Sequence, residues 1–332
     1  MQRFGTVIFL FLALCTSAFA DDISLVGEEI SEGKHKGVKG GIVAVDGKIL
    51  FEAYAPGEQA DKARDIRSAT KSITSLLIGK MIELEMLKSV DVRVSEILPD
   101  EFAHMAEDDP RRNIRIKDIL TMRTGLACND WQPASLGQED KMYETPDWAA
   151  FILSQPLSHE TGEHFSYCTG GVVLLGRVIE KLSGMKVPAF ADKHLFAPLG
   201  IKEAKWDETP KGYTDTGGHL KLTLKSLYRI GEMMASGGEG VIPASWVKDA
   251  VEPRTRIYER PEGYGYLWWL HGGEIEGKKV TLIYAHGNGG NFIFLVPELK
   301  IVAAFTGVNF GSRDQFIPKN LLTRRIIPAL LK

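Results

Sequence analysis

Ser68-Ala69-Thr70-Lys71-Ser72-Ile73-Thr74-Ser75-Leu76-Leu77 follows the charged loop 61–67 and opens the longest helical pattern in the chain. Ile73, Leu76, Leu77, Lys80, Met81 and Leu84 recur at helical spacing, and no Gly or Pro interrupts the first turns, so the pattern predicts a helix from Ser68 to Leu87. Its first residue lies among the unpaired N–H donors of a helix N-terminus. Lys71 lies one turn on, on the same face, where its amine can approach the Ser68 hydroxyl. A bare Ser-x-x-Lys is common, and this chain holds three more, at Ser31, Ser183 and Ser245. Ser31 falls in a polar lead-in, Ser183 at a helix end beside Gly184, and Ser245 at the start of a short helix. On this segment alone Ser68 reads equally as a nucleophile and as a plain N-cap, and Lys71 as its base or as a solvated lysine. The pair has chemical value because a serine hydroxyl is a poor nucleophile until a neighbouring base takes its proton. For lysine that requires a pKa well below its reference of about 10.4, which burial or nearby positive charge supplies.

On the N-terminal side, Gly41 to Val45, Asp46-Gly47, and Ile49 to Phe51 predict a β-hairpin, since Asp-Gly favours the tight turn. Residues 21–37 carry no period and are expected to form a partly mobile lead-in. On the C-terminal side, residues 91 to about 205 show helical patterns at Ile116 to Met122, Asp147 to Leu153 and Gly171 to Leu182. Leu222 to Met234 adds another helix. From Tyr264 the pattern turns to short β-rich runs: Gly265 to Leu270, Val280 to Tyr284, Asn291 to Val296 and Ile301 to Thr306. A helix from about Pro318 to Leu331 closes the chain. The order of strands, helices, strands and helix implies an α+β fold, with one antiparallel sheet built from both chain ends, flanked by helices and carrying an inserted helical region.

The first twenty residues read as a signal peptide. Arg3 precedes an apolar stretch, Val7 to Leu14, and Ala18-Phe19-Ala20 is a small-residue cleavage site. A retained N-terminal anchor is the alternative; a lipoprotein anchor on Cys15 is disfavoured by the large Leu14. The expected mature protein, residues 21–332, is therefore periplasmic or secreted, with no other segment near the roughly 20 apolar residues of a membrane helix. The 332-residue chain nets −3 and has no basic stretch with interleaved aromatics, which argues against a nucleic-acid partner. No cofactor or metal is expected, because His159 and His164 lack an H-E-x-x-H frame. Beyond the leader only Cys128 and Cys168 remain, and in an oxidising compartment they are either a disulfide or two buried thiols.

Several further segments, in the same order, resemble the serine β-lactamase and penicillin-recognising superfamily. Leu87 through Leu98-Pro99, the stretch Ile114 to Leu126, Gly162 to Gly184 centred on Phe165-Ser166-Tyr167 and Leu174-Leu175-Gly176, and Ala197-Pro198-Leu199-Gly200 carry that resemblance, and with the Ser68 helix they span most of the mature chain in the right order. The pattern is most similar to the class C-like esterase and amidase branch, which contains aminohexanoate-oligomer hydrolases. The resemblance implies a β-lactamase-like sheet and an acyl-serine mechanism with Ser68 as nucleophile, Lys71 as base and Tyr167 as proton relay. The family's Tyr-x-Asn reads here Tyr167-Cys168-Thr169, so Thr169 stands where an amide would contact substrate. The family's Lys-Thr-Gly or His-x-Gly strand aligns with Ala285-His286-Gly287. It implies Gly287 and His286 beside the substrate, and the N–H groups of Ser68 and Asn288 as an oxyanion hole. Ala285 in place of lysine removes a positive charge and favours neutral esters or amides. The alternatives are a β-lactamase or D-alanyl carboxypeptidase, and a non-catalytic binding protein with the same fold.

Overall fold

The computed structural model describes residues 22–258 and 262–332; the expected leader, 1–20, lies outside the described residues. Eleven strands are described, β1 (Val38–Val45), β2 (Lys48–Tyr54), β3 (Arg64–Asp65), β4 (Lys205–Trp206), β5 (Leu220–Leu222), β6 (Thr255–Arg256), β7 (Glu262–Tyr264), β8 (Trp269–Ile275), β9 (Lys278–Gly287), β10 (Asn291–Val296) and β11 (Ile301–Gly307). Eight of them form one antiparallel sheet in the order β2-β1-β11-β10-β9-β8-β7-β6. The first and last long strands pair one strand in from the β2 edge, with Ile42 opposite Ala304 and Val45 opposite Ile301. The sheet is thus built from both chain ends, as its sequence order implies. Asp46 and Gly47 both take positive φ, 49° and 76°, which closes the predicted hairpin with a tight turn. The strands β3, β5 and β4 form a small separate sheet.

Alternation along the strands sends one set of side chains to each side of the sheet. Ile42, Ala285, Ile293, Leu295 and Ala304 join a core with Ile73, Leu76 and Leu77. Val43, Phe292, Phe294, Ala303 and Phe305 join another with Ile23, Val26, Ile30, Leu322 and Ile326. The lead-in therefore departs from expectation: residues 22–31 are helical and packed, because Ile23, Val26 and Ile30 form a short apolar face covered by the sheet. The run Gly265 to Leu270 also differs. It is split by a turn in which Leu267 has φ 61° and Gly265 N–H donates to Trp268 O, so the strands are β7 and β8 on either side.

The long helix runs Thr70–Glu83, preceded by a single 3₁₀ turn at Arg67–Ala69, and it stops short of Leu87. It is buried on nearly every side. Two of its buried hydroxyls are satisfied by neighbouring segments: Ser72 Oγ donates to Leu267 O at 2.6 Å and Thr74 Oγ1 to Thr216 O at 2.8 Å. Packing is close enough at Gly79 that a Cβ would lie 2.2 Å from the Trp246 ring. Among the described residues, no helix is long and apolar enough to cross a membrane.

Candidate active site

Ser68 occupies the 3₁₀ turn between Arg67, whose φ is +52°, and the start of the long helix. The helix N-cap is Ala69, and neither it nor the turn uses a side-chain cap, so the Ser68 hydroxyl is not spent on capping. Asp65 Oδ1 accepts Arg67 N–H at 2.7 Å and Leu220 O accepts Ile66 N–H at 2.9 Å, which fixes the turn. Lys71, 1% exposed, donates from Nζ to Ser68 Oγ at 3.1 Å and to Gly217 O at 2.6 Å. The same Nζ lies 5.1 Å from the centroid of the Tyr167 ring. Ser68, Tyr167, His286 and Asn288 all line one cavity of about 520 Å³. The sequence-predicted Ser68, Lys71, Tyr167 and Asn288 are therefore brought together.

Three other residues sit differently from expectation. Gly287 does not open the strand to a ligand: a Cβ there would lie 1.8 Å from Ile66 O, so glycine admits the backbone of the Ser68 turn. Thr169 is fully buried, with its N–H on Asp130 Oδ2 and its hydroxyl on Glu139 Oε2, each at 2.7 Å. The groups that reach the cavity there are the carboxylates of Asp130 and Glu139. Ala285, aligned with the family's lysine, is fully buried in the core, while its neighbours Tyr284 and His286 line the cavity. His286 stacks on Phe292 at 4.4 Å, and burial beside the Lys319 charge pushes its pKa down to about 3, so it is a neutral imidazole.

Cys128 and Cys168 are bridged, with Cα atoms 5.5 Å apart. The bridge brackets the site, since Tyr167 precedes Cys168 and Asp130 follows Cys128 by two. Asp130 N–H donates to Tyr167 O at 2.9 Å and Ser166 Oγ to Cys128 O at 2.5 Å. Trp131 stacks on the Tyr167 ring at 5.2 Å, and Trp269 stacks on it at 5.7 Å.

The electrostatics correct one expectation. Burial pulls the Lys71 pKa down, but Tyr167, Glu139, Asp130 and Asp215 outweigh it, and the group is held above the ordinary lysine value. Burial also raises Tyr167, against the lowering effects of Lys71 and a hydrogen bond with Ser68. Asp130, buried beside Glu139, is pushed up to about 7. Asp130, Glu139, Asp215 and Lys319 were not read from the sequence. Their only advance signal was Asp130's closeness to Cys128. Among the described residues, no group of three or more His, Cys, Asp or Glu side chains is placed to hold a metal.

A serine–lysine–tyrosine cluster against the end of β9, an interior strand of a large antiparallel sheet with helices on both sides, defines a β-lactamase-like fold. The Beta-lactamase family profile matches residues 30–317, and the chain belongs to that family. The chain is 23% identical over 258 residues to 6-aminohexanoate-dimer hydrolase from Paenarthrobacter ureafaciens, covering 68% of this chain and 62% of that protein. It is 28% identical over 175 residues to lovastatin esterase from Penicillium rubens, covering 48% and 43%. The chain thus spans less than two thirds of either relative. The octameric penicillin-binding protein homologue from Pyrococcus abyssi has the same fold, with a TM-score of 0.69 over 92% of this chain and 77% of the other at 21% identity.

Proposed function

We propose that this protein is an exported serine hydrolase that cleaves neutral ester or amide bonds through an acyl-serine intermediate. The observation that carries the reading is the 3.1 Å contact between Lys71 Nζ and Ser68 Oγ at the wall of a cavity shared with Tyr167. In this reading the Lys71–Tyr167 pair takes the Ser68 proton as Oγ attacks the substrate carbonyl. The N–H groups of Ser68 and Asn288 hold the developing oxyanion; one such donor is typically worth about 10²–10³ in rate. The pair then returns the proton to the departing alkoxide or amine, and water releases the acid from Ser68. Because both members of the pair are raised, the proton-accepting form is scarce at neutral pH, and turnover rises with pH. Export rests on the leader pattern and agrees with a disulfide in an oxidising compartment.

A β-lactamase or D-alanyl carboxypeptidase is the second reading. Lys319 favours it by bringing a cation to the cavity wall, although Glu262 stands 3.8 Å from that cation. The test is treatment of residues 21–332 with a fluorophosphonate probe, mapping of the adduct by mass spectrometry, and turnover of p-nitrophenyl esters beside nitrocefin. A Ser68 adduct and ester turnover, both lost in Ser68→Ala, are expected. Labelling at another residue sinks the proposal.

A further inference from the structure

The segment 215–220 is tied to the site through several hydrogen bonds. Leu220 N–H donates to Thr70 Oγ1 at 3.2 Å, Thr216 O accepts Thr74 Oγ1 at 2.8 Å, and Thr216 Oγ1 donates to Val172 O at 2.8 Å. Between these anchors the Gly217 carbonyl accepts the Lys71 ammonium at 2.6 Å. Gly217 has no room to shift toward Thr169, since a Cβ would lie 2.6 Å from Thr169 Cγ2.

Asp215 heads this segment and is 1% exposed. Its Oδ1 accepts both Gly217 N–H and Gly218 N–H at 3.0 Å, and its Oδ2 lies 2.6 Å from His219 Nδ1. The far ring nitrogen of His219 lies 3.1 Å from an Arg67 guanidinium nitrogen, beside Ser68. The hydrogen bond to Asp215 holds the His219 pKa above the ordinary imidazole value, and the neutral form with its proton on Nδ1 satisfies both contacts, donating to Asp215 and accepting from Arg67. A buried carboxylate is costly unless its oxygens are filled, and here three donors fill them. A loop needing only shape could be pinned by a neutral acceptor. The carboxylate also brings a negative charge to Lys71, which is faced as well by Tyr167, Asp130 and Glu139. Asp215 itself is faced by His219, behind which stand Arg67 and Asp65.

We infer that Asp215 is a positioning residue for Lys71: its carboxylate holds the Gly217 and Gly218 N–H groups, clamps the Gly217 carbonyl onto the Lys71 amine and places a negative charge on the segment that holds it. The inference rests on the reading of Lys71 as a base. Two substitutions separate its parts. Asp215→Asn keeps an oxygen for the two glycine amides, removes the charge and requires His219 to turn Nδ1 into an acceptor for the new amide N–H, whereas Asp215→Ala removes both the oxygen and the charge.

The experiment measures kcat and KM for a neutral p-nitrophenyl ester across pH, with thermal midpoints for each variant and Lys71→Ala in parallel. In Asp215→Asn the limb on which activity rises with pH should move down by roughly one unit, the low end of what one nearby charge does. Its alkaline kcat should stay within about threefold of the parent. Asp215→Ala should show the same displacement with kcat down by about 10–100-fold and KM little changed, as expected for a misplaced base. A parental limb in Asp215→Asn beside an inactive Lys71→Ala overturns the role of Asp215 alone. Losses that merely track the unfolded fraction also overturn it. Activity persisting in Lys71→Ala overturns both this inference and the reading of Lys71 as base.

Discussion

Removing the Cys128–Cys168 bridge should affect stability and turnover by different routes. The bridge joins residues 40 apart in sequence. In the chain-entropy treatment, closing a loop of that length stabilises the fold by roughly 4 kcal/mol, at 2–5 kcal/mol for typical native bridges. For a chain of this size each kcal/mol moves the thermal midpoint by about 2 °C, so the expected fall is roughly 8 °C. Cys128→Ala/Cys168→Ala is the suitable variant, because alanine leaves no unpaired hydroxyl at positions that are 2% exposed.

The bonds from Asp130 N–H to Tyr167 O and from Ser166 Oγ to Cys128 O persist in that variant, so the two segments stay together below the midpoint. They lose their covalent register. Tyr167 and Asp130 then sample wider positions, and kcat for a neutral ester at 25 °C should fall by about tenfold with KM nearly constant, since small misplacements of a reacting group are costly. Thermal and urea unfolding give the first quantity, steady-state kinetics the second, and thiol titration of the unfolded parent confirms the bridge. A midpoint within 2 °C of the parent, or two titratable thiols in the parent, would refute the reasoning.

Two further outcomes follow from the geometry. Gly287→Ala places a Cβ 1.8 Å from Ile66 O, so the Ser68 turn must move; ester turnover should drop at least 100-fold, and parental kinetics in a folded variant would contradict the packing. Asp130 binds its proton with a pKa near 7 when folded, against about 3.9 when unfolded, so the folded state holds more protons between those values. Its contribution is complete below about pH 4 and is lost as pH rises through 7, at most roughly 4 kcal/mol. Urea midpoints of the parent should fall between pH 5 and 8 more steeply than those of Asp130→Asn; equal slopes would remove Asp130 as the cause.

The parts of the fold legible in sequence were those governed by local patterns. Asp46-Gly47 announced its hairpin through the φ values a tight turn demands, and Asn291 to Val296 and Ile301 to Thr306 announced strands because uninterrupted β-rich runs suit a sheet buried on both faces. The helix at 22–31 was not legible because its apolar face is only Ile23, Val26 and Ile30, too short to stand out until the sheet covers it. The turn at 265–268 hides in an apolar run, and the strands on either side are set by pairing. Ser68, Lys71 and Tyr167 could be found because a helix start and colinear motifs mark them. Glu139 and Asp215 could not: Glu139 reaches the site from a short helix through a long-range hydrogen bond to Thr169, and Asp215 sits in a loop folded on itself through His219, which no periodic pattern marks.

That difference changes the argument about substrate. Read from sequence, the preference for neutral esters or amides rested on Ala285 standing where a lysine was expected. Ala285 is in the core, so its identity does not decide the charge of the cavity. The charge comes from other elements. Asp130 and Glu139 reach the wall near Lys71 and Tyr167, and farther along it Lys319 enters from the C-terminal helix with Glu262 beside it. Burial lowers Lys319, and its nearest acid offsets its charge. An anionic substrate would gain little from a cation already paired with Glu262. It would also have to approach Glu139 and the partly ionised Asp130 near the nucleophile, in a cleft whose walls concentrate the field. The neutral-substrate reading therefore stands on the placement of Asp130, Glu139 and Glu262 and no longer on a missing lysine.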